Sequence, residues 1–120
     1  DPLCYYIADS YLNHPDHRTA GQIVVDSVFP AAINNAFFPE LLEEGLSAVD
    51  ISELWLSLPQ TPNVRLDVDI YWERRLNALL NHKSQIIDAE KFLTRMQTNK
   101  ANILAEDGRY YEVFRRIKFH

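Results

Sequence analysis

Two histidines and an aspartate stand close together near the start of the chain, in the stretch His14-Pro15-Asp16-His17. Residues three apart share one face of a helix, and neutral imidazole is a common ligand of zinc. A neighbouring carboxylate can orient an imidazole and stabilise its protonated form. The stretch therefore favours either a metal and proton-transfer site or a polar cap at the start of a helix, and its spacing alone fits both.

The same stretch is predicted to open a helix that runs from Pro15 to about Phe29. Pro15 suits the first helical position, because the N–H that proline lacks would be unpaired there in any case. His14 would then be the N-cap, and Asp16 would be a first-turn acid that suits the helix dipole. Pro30 is predicted to end the helix, since proline removes a hydrogen bond from a helix interior.

The spacing along this helix predicts a buried stripe with intervals of four, three and four residues. The stripe consists of His17, Gly21, Val24 and Val28. Gly21 has no side chain, so another backbone could come close to the helix there. We therefore expect His17 at the inner edge of the apolar face, at the exposed N-terminal end of the helix, with His14 one turn further out.

Short strands and helices alternate along the rest of the chain, which predicts an α/β layered domain over residues 1–120. Only about three short strands are visible, too few for a free-standing doubly wound sheet, so we expect an incomplete sheet in this chain. Trp55 and Trp72 have the spacing of core residues. The elements predicted after the first helix are a short helix between Pro39 and Gly45, strands over 53–57 and 64–70, helices over 70–85 and from Asp88 to Gly108, and a strand over 109–119.

Two aspartates are expected to begin the later helices. Asp69 would cap the helix over 70–85, and Asp88 would cap the last helix. Ile87 and Phe92 have the positions of a hydrophobic staple around that second cap. His82 is expected near the C-terminus of the preceding helix, where histidine meets the helix dipole favourably.

Composition excludes several classes of function. The chain has 120 residues, a net charge of −5 and one cysteine, Cys4. A basic footprint is absent, so no nucleic-acid partner is expected. A single cysteine excludes an intrachain disulfide and a cysteine-based zinc site, and it fits a reducing, cytoplasmic compartment, with Cys4 as a small buried hydrophobe. No apolar run reaches the roughly 18 residues of a membrane-spanning helix, so no membrane span is expected.

Several stretches of this sequence resemble, in the same order, the C-terminal half of the LmbE-like deacetylases, the family that includes the PIG-L N-acetylglucosaminyl-phosphatidylinositol deacetylase. The first is YLNHPDHRTAG, which is similar to the family's His-Pro-Asp-His motif. The resemblance implies a zinc-dependent hydrolase with a Rossmann-like α/β fold that removes acetyl from N-acetylglucosamine-type sugar conjugates. The other stretches are VFPAAINNAFFPELLEEGL, ELWL, WERRLNALLNHKSQ and YYEVFRRI, so the resemblance covers essentially the whole chain.

The resemblance also implies roles for the residues of the motif. His17 would be a zinc ligand, and His14 would face the substrate carbonyl, where it would stabilise the oxyanion or act as a general acid. Asp16 would tune and orient His14. Two neighbours carry other expectations: Asn13 would only cap the chain before the helix, and Arg18 would form a surface ion pair or contact a sugar or phosphate.

One motif of the family is missing, since the sequence contains no His-Pro-Asp-Asp-Glu. That motif would supply two further metal ligands and the carboxylate that acts as general base. The chain begins with Asp1-Pro2, and we expect it to be the C-terminal half of a longer deacetylase that is inactive by itself. Its expected partners are the N-terminal half, on the same or a separate chain, an N-acetylated sugar or glycoconjugate substrate and, in a homo-oligomer, further copies.

Two other interpretations compete with the enzyme. The first is a non-catalytic binding or assembly module with the same fold, which the missing motif favours and the intact His-Pro-Asp-His stretch opposes. The second is a free-standing α/β domain in which the histidines only cap a helix. That interpretation does not account for the incomplete sheet, which should expose apolar surface where further strands would pack.

Overall fold

A computed structural model describes residues 1–7, 9 and 11–119 of the chain, and His120 lies outside the described residues. The chain divides into two compact units, the first made of Asp1–Val64 with Val113–His120 and the second of Arg65–Glu112. Helices are combined with small antiparallel sheets, which confirms the predicted mixture of α and β structure. The Rossmann-like arrangement and the single domain over 1–120 stay predictions. Among the described residues, no helix has the length and apolar character needed to cross a bilayer.

The first unit begins with a short antiparallel hairpin of strands β1 (Tyr6–Ile7) and β2 (Tyr11–Leu12). Cys4, just before β1, is buried, as predicted for a small hydrophobe. The backbone N–H of Asn13 donates to the carbonyl of Tyr5 at 2.8 Å. This bond fixes the point at which the chain leaves the hairpin and approaches the first helix.

Helix α1 (Pro15–Asp26) begins where the sequence predicts. His14 is its N-cap, and the Nδ1 atom of the His14 ring accepts a hydrogen bond from the N–H of Asp16 at 3.1 Å. The regular helix ends at Asp26, earlier than predicted, and a kinked π-helical turn follows over Ser27–Ala32. Phe29 is extended there (φ −133°, ψ 124°), because the residue before a proline is disfavoured in the α region.

The predicted buried stripe of α1 is only partly correct. Gly21 and Val28 are half-buried, whereas His17 and Val24 are exposed. The close approach predicted at Gly21 is confirmed, since a Cβ atom added there would lie 3.1 Å from Cδ of Pro2. Among the described residues of α1 none is fully buried, so the helix lacks the buried stripe that its spacing predicts.

Strand β3 (Glu53–Leu56) pairs antiparallel with strand β5 (Tyr111–Lys118). Leu54 and Leu56 are buried, whereas Trp55 is 38% exposed. The predicted core position of Trp55 is therefore wrong. Alternate residues of a strand point to opposite faces, and the two leucines occupy the buried face.

Two further predicted elements are confirmed with shorter bounds. Strand β4 (Val64–Asp67) lies at an edge of a sheet with strand order β3-β5-β4, as expected for the pattern over 64–70. Helix α2 (Glu40–Glu43) lies between Pro39 and Gly45. Gly45 has φ +79°, a left-handed conformation that glycine adopts without steric penalty at the end of a helix.

The core of the second unit lies around helices α3 (Trp72–Leu79) and α4 (Ala89–Ile103). Trp72, Leu76 and Tyr110 are buried together, and the rings of Trp72 and Tyr110 meet edge-to-face at 5.0 Å. The predicted core position of Trp72 is thus confirmed. The half-buried side chains that pack against this cluster are Val68, Leu93 and Met96.

The start of α4 confirms one prediction and corrects another. Asp88 is the N-cap, and its Oδ1 atom accepts from the N–H of Lys91 at 2.9 Å. The predicted staple is wrong, because Ile87 is 96% exposed and does not pack against Phe92. A carboxylate N-cap satisfies an unpaired N–H without the staple, so the helix begins at the predicted place.

Asp69 does not cap α3, contrary to the prediction. It lies in a 3₁₀ turn, Asp69–Tyr71, and its carboxylate is 2.7 Å from the Nζ atom of Lys100. The Asp69 carboxylate therefore forms a long-range ion pair with Lys100 instead of capping the helix. Helix α3 also ends at Leu79 rather than residue 85, because the chain turns there and the N–H of His82 donates to the Leu79 carbonyl at 2.9 Å.

Asp67→Asn is expected to lower the stability of the second unit at neutral pH. The hydrogen bond from Arg109, and then the N–H of Asp69, hold the pKa of Asp67 below its usual value of 3.8. A carboxylate with a lowered folded-state pKa stabilises the fold above its unfolded-state pKa, near 3.9, and the contribution is lost as pH falls through the folded value. Urea unfolding should give wild type a higher free energy of unfolding than the variant at about pH 7, and the difference should shrink as pH falls below the usual carboxyl pKa.

The matched control is Asp50→Asn, which removes one carboxylate from an exposed position in the first unit. It is expected to leave the free energy of unfolding nearly unchanged, as for most surface substitutions. A constant difference between wild type and Asp67→Asn at every pH would contradict a role for the ionised carboxylate.

Candidate active site

His14 lies at the N-terminus of α1, with its ring turned back toward the first turn. Its Nδ1 atom accepts from the backbone N–H of Asp16 at 3.1 Å and lies 3.5 Å from Oδ2 of the same residue. The bond satisfies one of the N–H groups that every helix start leaves unpaired. The backbone of Asp16 thus orients His14 more directly than the Asp16 carboxylate does. The side chain of His14 is 61% exposed.

His17 is anchored by a buried amide. Its Nδ1 atom lies 3.2 Å from Oδ1 of Asn13, and Asn13 itself is 1% exposed. The Nδ2 group of Asn13 donates to the carbonyl of Cys4 at 2.8 Å, so the amide oxygen is the atom turned toward His17. One edge of the His17 ring is therefore held by the segment that precedes the helix.

The two imidazoles lie together at the start of α1. The ring centroids of His14 and His17 are 6.0 Å apart, and the ring planes are inclined by 56°. The Asp16 side chain is 86% exposed beside them. All three predicted site residues thus lie at one end of one helix, where one ring can ligate a metal ion while the other donates a hydrogen bond to a neighbouring ligand.

A cleft of about 400 Å³ opens next to this helix end, within the first unit. The residues that line it include Asn13, His17 and Gly21, together with Leu56 and Ser57. Its volume is in the range of small-molecule sites. The cleft therefore gives a ligand a place in which to meet His17.

The sequence resemblance predicts a zinc ion at this helix end, and the side chains that could ligate zinc there determine how well the site fits that metal. Among residues 1–7, 9 and 11–119, no group of three His, Cys, Asp or Glu side chains could hold a metal ion. A catalytic zinc site usually has three protein ligands and one open position. His17 suits one of those ligands, because metal-bound histidine usually donates its other ring N–H to an oxygen such as that of Asn13. The described residues therefore fit part of a zinc site.

The expectations for two other residues, Arg18 beside the motif and His82 in the second unit, have different outcomes. Arg18 donates to the backbone carbonyl of Asn13 and lies over the ring of Tyr5, with 4.4 Å from Cζ to the ring centroid. It forms no ion pair with any described residue, so the expected surface ion pair is wrong. His82 lies in the second unit near the C-terminus of a helix, as expected, but three residues after Leu79, the last residue of α3, rather than within the helix.

Asn13 is the residue of this site that sequence reasoning missed. It was expected only to cap the chain before the helix, yet it holds the ring of His17. A signal was available, since residues four apart on a helical path can meet. Its burial could not be predicted, because it depends on contacts with Cys4 and Tyr5 across the hairpin.

No protein-family model, curated protein or solved structure matches this chain. The zinc-deacetylase interpretation therefore depends on the His-Pro-Asp-His stretch, on the other resembling stretches and on the arrangement of His14 and His17 around the start of α1.

Proposed function

We propose that this chain carries the second motif of a zinc-dependent deacetylase that acts on an N-acetylglucosamine-type sugar conjugate. One observation supports the proposal most directly: His14 and His17 lie 6.0 Å apart at the start of one helix, and His17 lines a cleft. The reaction is hydrolysis of an acetamide, in which water adds to the carbonyl carbon, the C–N bond breaks, and acetate and an amine form.

The roles of the two histidines follow from how each ring is held. His17, held at Nδ1 by Asn13, would ligate zinc through its other ring nitrogen. His14, held at Nδ1 by the N–H of Asp16, would donate a hydrogen bond from its other nitrogen to the carbonyl oxygen as negative charge develops there. Zinc, when bound, would lower the pKa of a water molecule and polarise the carbonyl.

The proposed site needs residues from outside this chain. A general base and two more metal ligands are required, and the sequence has no His-Pro-Asp-Asp-Glu stretch to supply them. We therefore propose that the chain is the C-terminal half of an LmbE-like, Rossmann-like enzyme of the cytoplasm. The half that bears the first motif, on the same or another chain, would complete the site, and a homo-oligomer is compatible with this arrangement.

The 120-residue chain alone is expected to be inactive. One histidine does not hold zinc in a catalytic geometry, so the purified chain should release no acetate from an N-acetylglucosamine conjugate. Adding the segment with the first motif should yield about one zinc per complete unit and measurable deacetylation. Deacetylation by the chain alone, or a completed unit that binds no zinc, would contradict the proposal.

A binding or assembly module is the second candidate, and the exposed apolar surface of the first unit favours it. Ile23 and Phe29 are each 60% exposed, on and just after a helix that has no fully buried residue among those described. Where such side chains form one patch, the patch often marks a site of protein association. Zinc content separates the candidates, since a module with this fold needs no metal.

A further inference from the structure

We propose that Asn13 is a positioning residue, which fixes the neutral His17 ring as the tautomer protonated at Nδ1 and leaves the Nε2 lone pair free for a ligand. The inference deepens the proposed function and rests on it only for the identity of that ligand, zinc. Asn13 touches no substrate in this scheme. It acts through the imidazole of His17.

The orientation of the Asn13 amide determines which atom meets His17. Its Nδ2 group lies 2.8 Å from the carbonyl oxygen of Cys4, and a carbonyl can only accept a hydrogen bond. The opposite orientation would bring two acceptor oxygens together. The atom 3.2 Å from Nδ1 of His17 is therefore the amide oxygen, which is also only an acceptor, so Nδ1 must carry the proton.

The amide has little freedom to adopt another orientation. Asn13 is 1% exposed, so solvent competes weakly for its polar atoms. Its backbone N–H donates to the Tyr5 carbonyl at 2.8 Å, and Arg18 donates to its backbone carbonyl. An unpaired oxygen at this depth would be unfavourable, which further favours a protonated Nδ1 on His17.

His14 is held in the opposite way. Its Nδ1 atom accepts from the N–H of Asp16 at 3.1 Å, so a neutral His14 carries its proton on Nε2. Each ring is thus anchored at Nδ1, but one Nε2 is a donor and the other is a lone pair. His17 is suited to ligate a cation, and His14 is suited to donate to an oxygen.

The tautomers can be measured directly on the intact chain without metal or substrate. At about pH 8, where histidine is ordinarily neutral, long-range ¹H–¹⁵N correlation spectra distinguish protonated from unprotonated ring nitrogens. We expect a protonated Nδ1 for His17 and a protonated Nε2 for His14. A neutral His17 that carries its proton mainly on Nε2 would overturn the inference, and this measurement needs no variant.

Variants of Asn13 distinguish positioning from a general contribution to folding. Asn13→Ala removes the acceptor, so the His17 ring should become a mixture of tautomers, whereas the His82 ring in the second unit should not change. Asn13→Asp loses the donor to the Cys4 carbonyl but keeps an acceptor for His17, so a folded Asn13→Asp variant should retain the Nδ1–H form. If Asn13→Ala folds and leaves the His17 tautomer unchanged, Asn13 does not select it.

Zinc binding by the completed enzyme provides the second readout. Asn13→Ala should weaken zinc binding about 10–100-fold, the usual effect of losing a partner of a ligating histidine, and Asn13→Asp should weaken it less. Equal zinc affinities for wild type and a folded Asn13→Ala would overturn the claim that Asn13 positions His17 for zinc.

The two proposals can fail separately. The expected tautomers in a protein that binds no zinc would keep the inference about Asn13 and reject the deacetylase. An active zinc deacetylase with the reversed His17 tautomer would reject the inference alone.

Discussion

Replacing His17 with alanine is expected to remove zinc from the completed deacetylase, whereas replacing His14 with alanine should leave zinc in place. His17 would be a direct ligand, so its loss should weaken binding by more than the roughly 100-fold seen for outer partners of a ligand. His14 would act only on the developing charge of the carbonyl oxygen, and removing such a donor typically lowers kcat about 10²–10³-fold. Metal analysis and turnover of the two variants test both statements.

The matched control is Gln22→Ala, which changes an exposed side chain on the same helix. It should retain zinc content and turnover, because the Gln22 side chain donates to Asp26 and is not one of the proposed site residues. If both histidine variants kept wild-type activity, the roles of His14 and His17 would be wrong. If His14→Ala lost zinc and His17→Ala retained it, the two roles would be reversed.

Trp72→Ala is expected to have the largest effect on stability, lowering the free energy of unfolding of the second unit by about 3–5 kcal/mol. Trp72 is 5% exposed, and it packs against Leu76, which is 2% exposed, and edge-to-face on Tyr110. Truncation removes this contact area and leaves a cavity that the two helices cannot fill completely. Urea unfolding followed by circular dichroism measures the loss.

Trp55→Ala makes the same change at a position that is 38% exposed, so it should lower stability distinctly less. Trp72→Phe supplies a further comparison, because the Nε1 atom of Trp72 has no hydrogen-bond partner among the described residues. Phenylalanine should then restore part of the packing without losing a hydrogen bond. Equal losses for the Trp72 and Trp55 truncations would show that burial does not control the effect.

The starts of two helices could be predicted from the sequence because capping is local. His14 and Asp88 each accept a hydrogen bond from an N–H no more than three residues along the chain. The geometry needs only a proline or a first-turn acid and a side-chain acceptor at the right offset. Asp69 had similar local features, but its carboxylate pairs with Lys100, which is distant along the chain. The predicted helix cap at Asp69 is therefore wrong.

The two tryptophans show that composition and spacing do not predict which large apolar side chain is buried. Both were predicted as core residues, yet only Trp72 is buried. A strand places alternate residues on opposite faces, and the choice of buried face depends on what packs there. In β3 the buried face is the one that carries Leu54 and Leu56, so Trp55 lies on the opposite, exposed face.

The sequence by itself determined the helix start and brought His14, Asp16 and His17 to one end of α1, because helical spacing and capping act over three or four residues. The cap that holds the His14 ring is local, whereas the tertiary structure decided how the His17 ring is held. The hairpin brings the Cys4 carbonyl to Asn13, the carbonyl orients the amide, and the amide oxygen meets His17. The Asn13–His17 contact is local, but the orientation of the amide depends on the Cys4 carbonyl across the hairpin, which helical spacing does not predict.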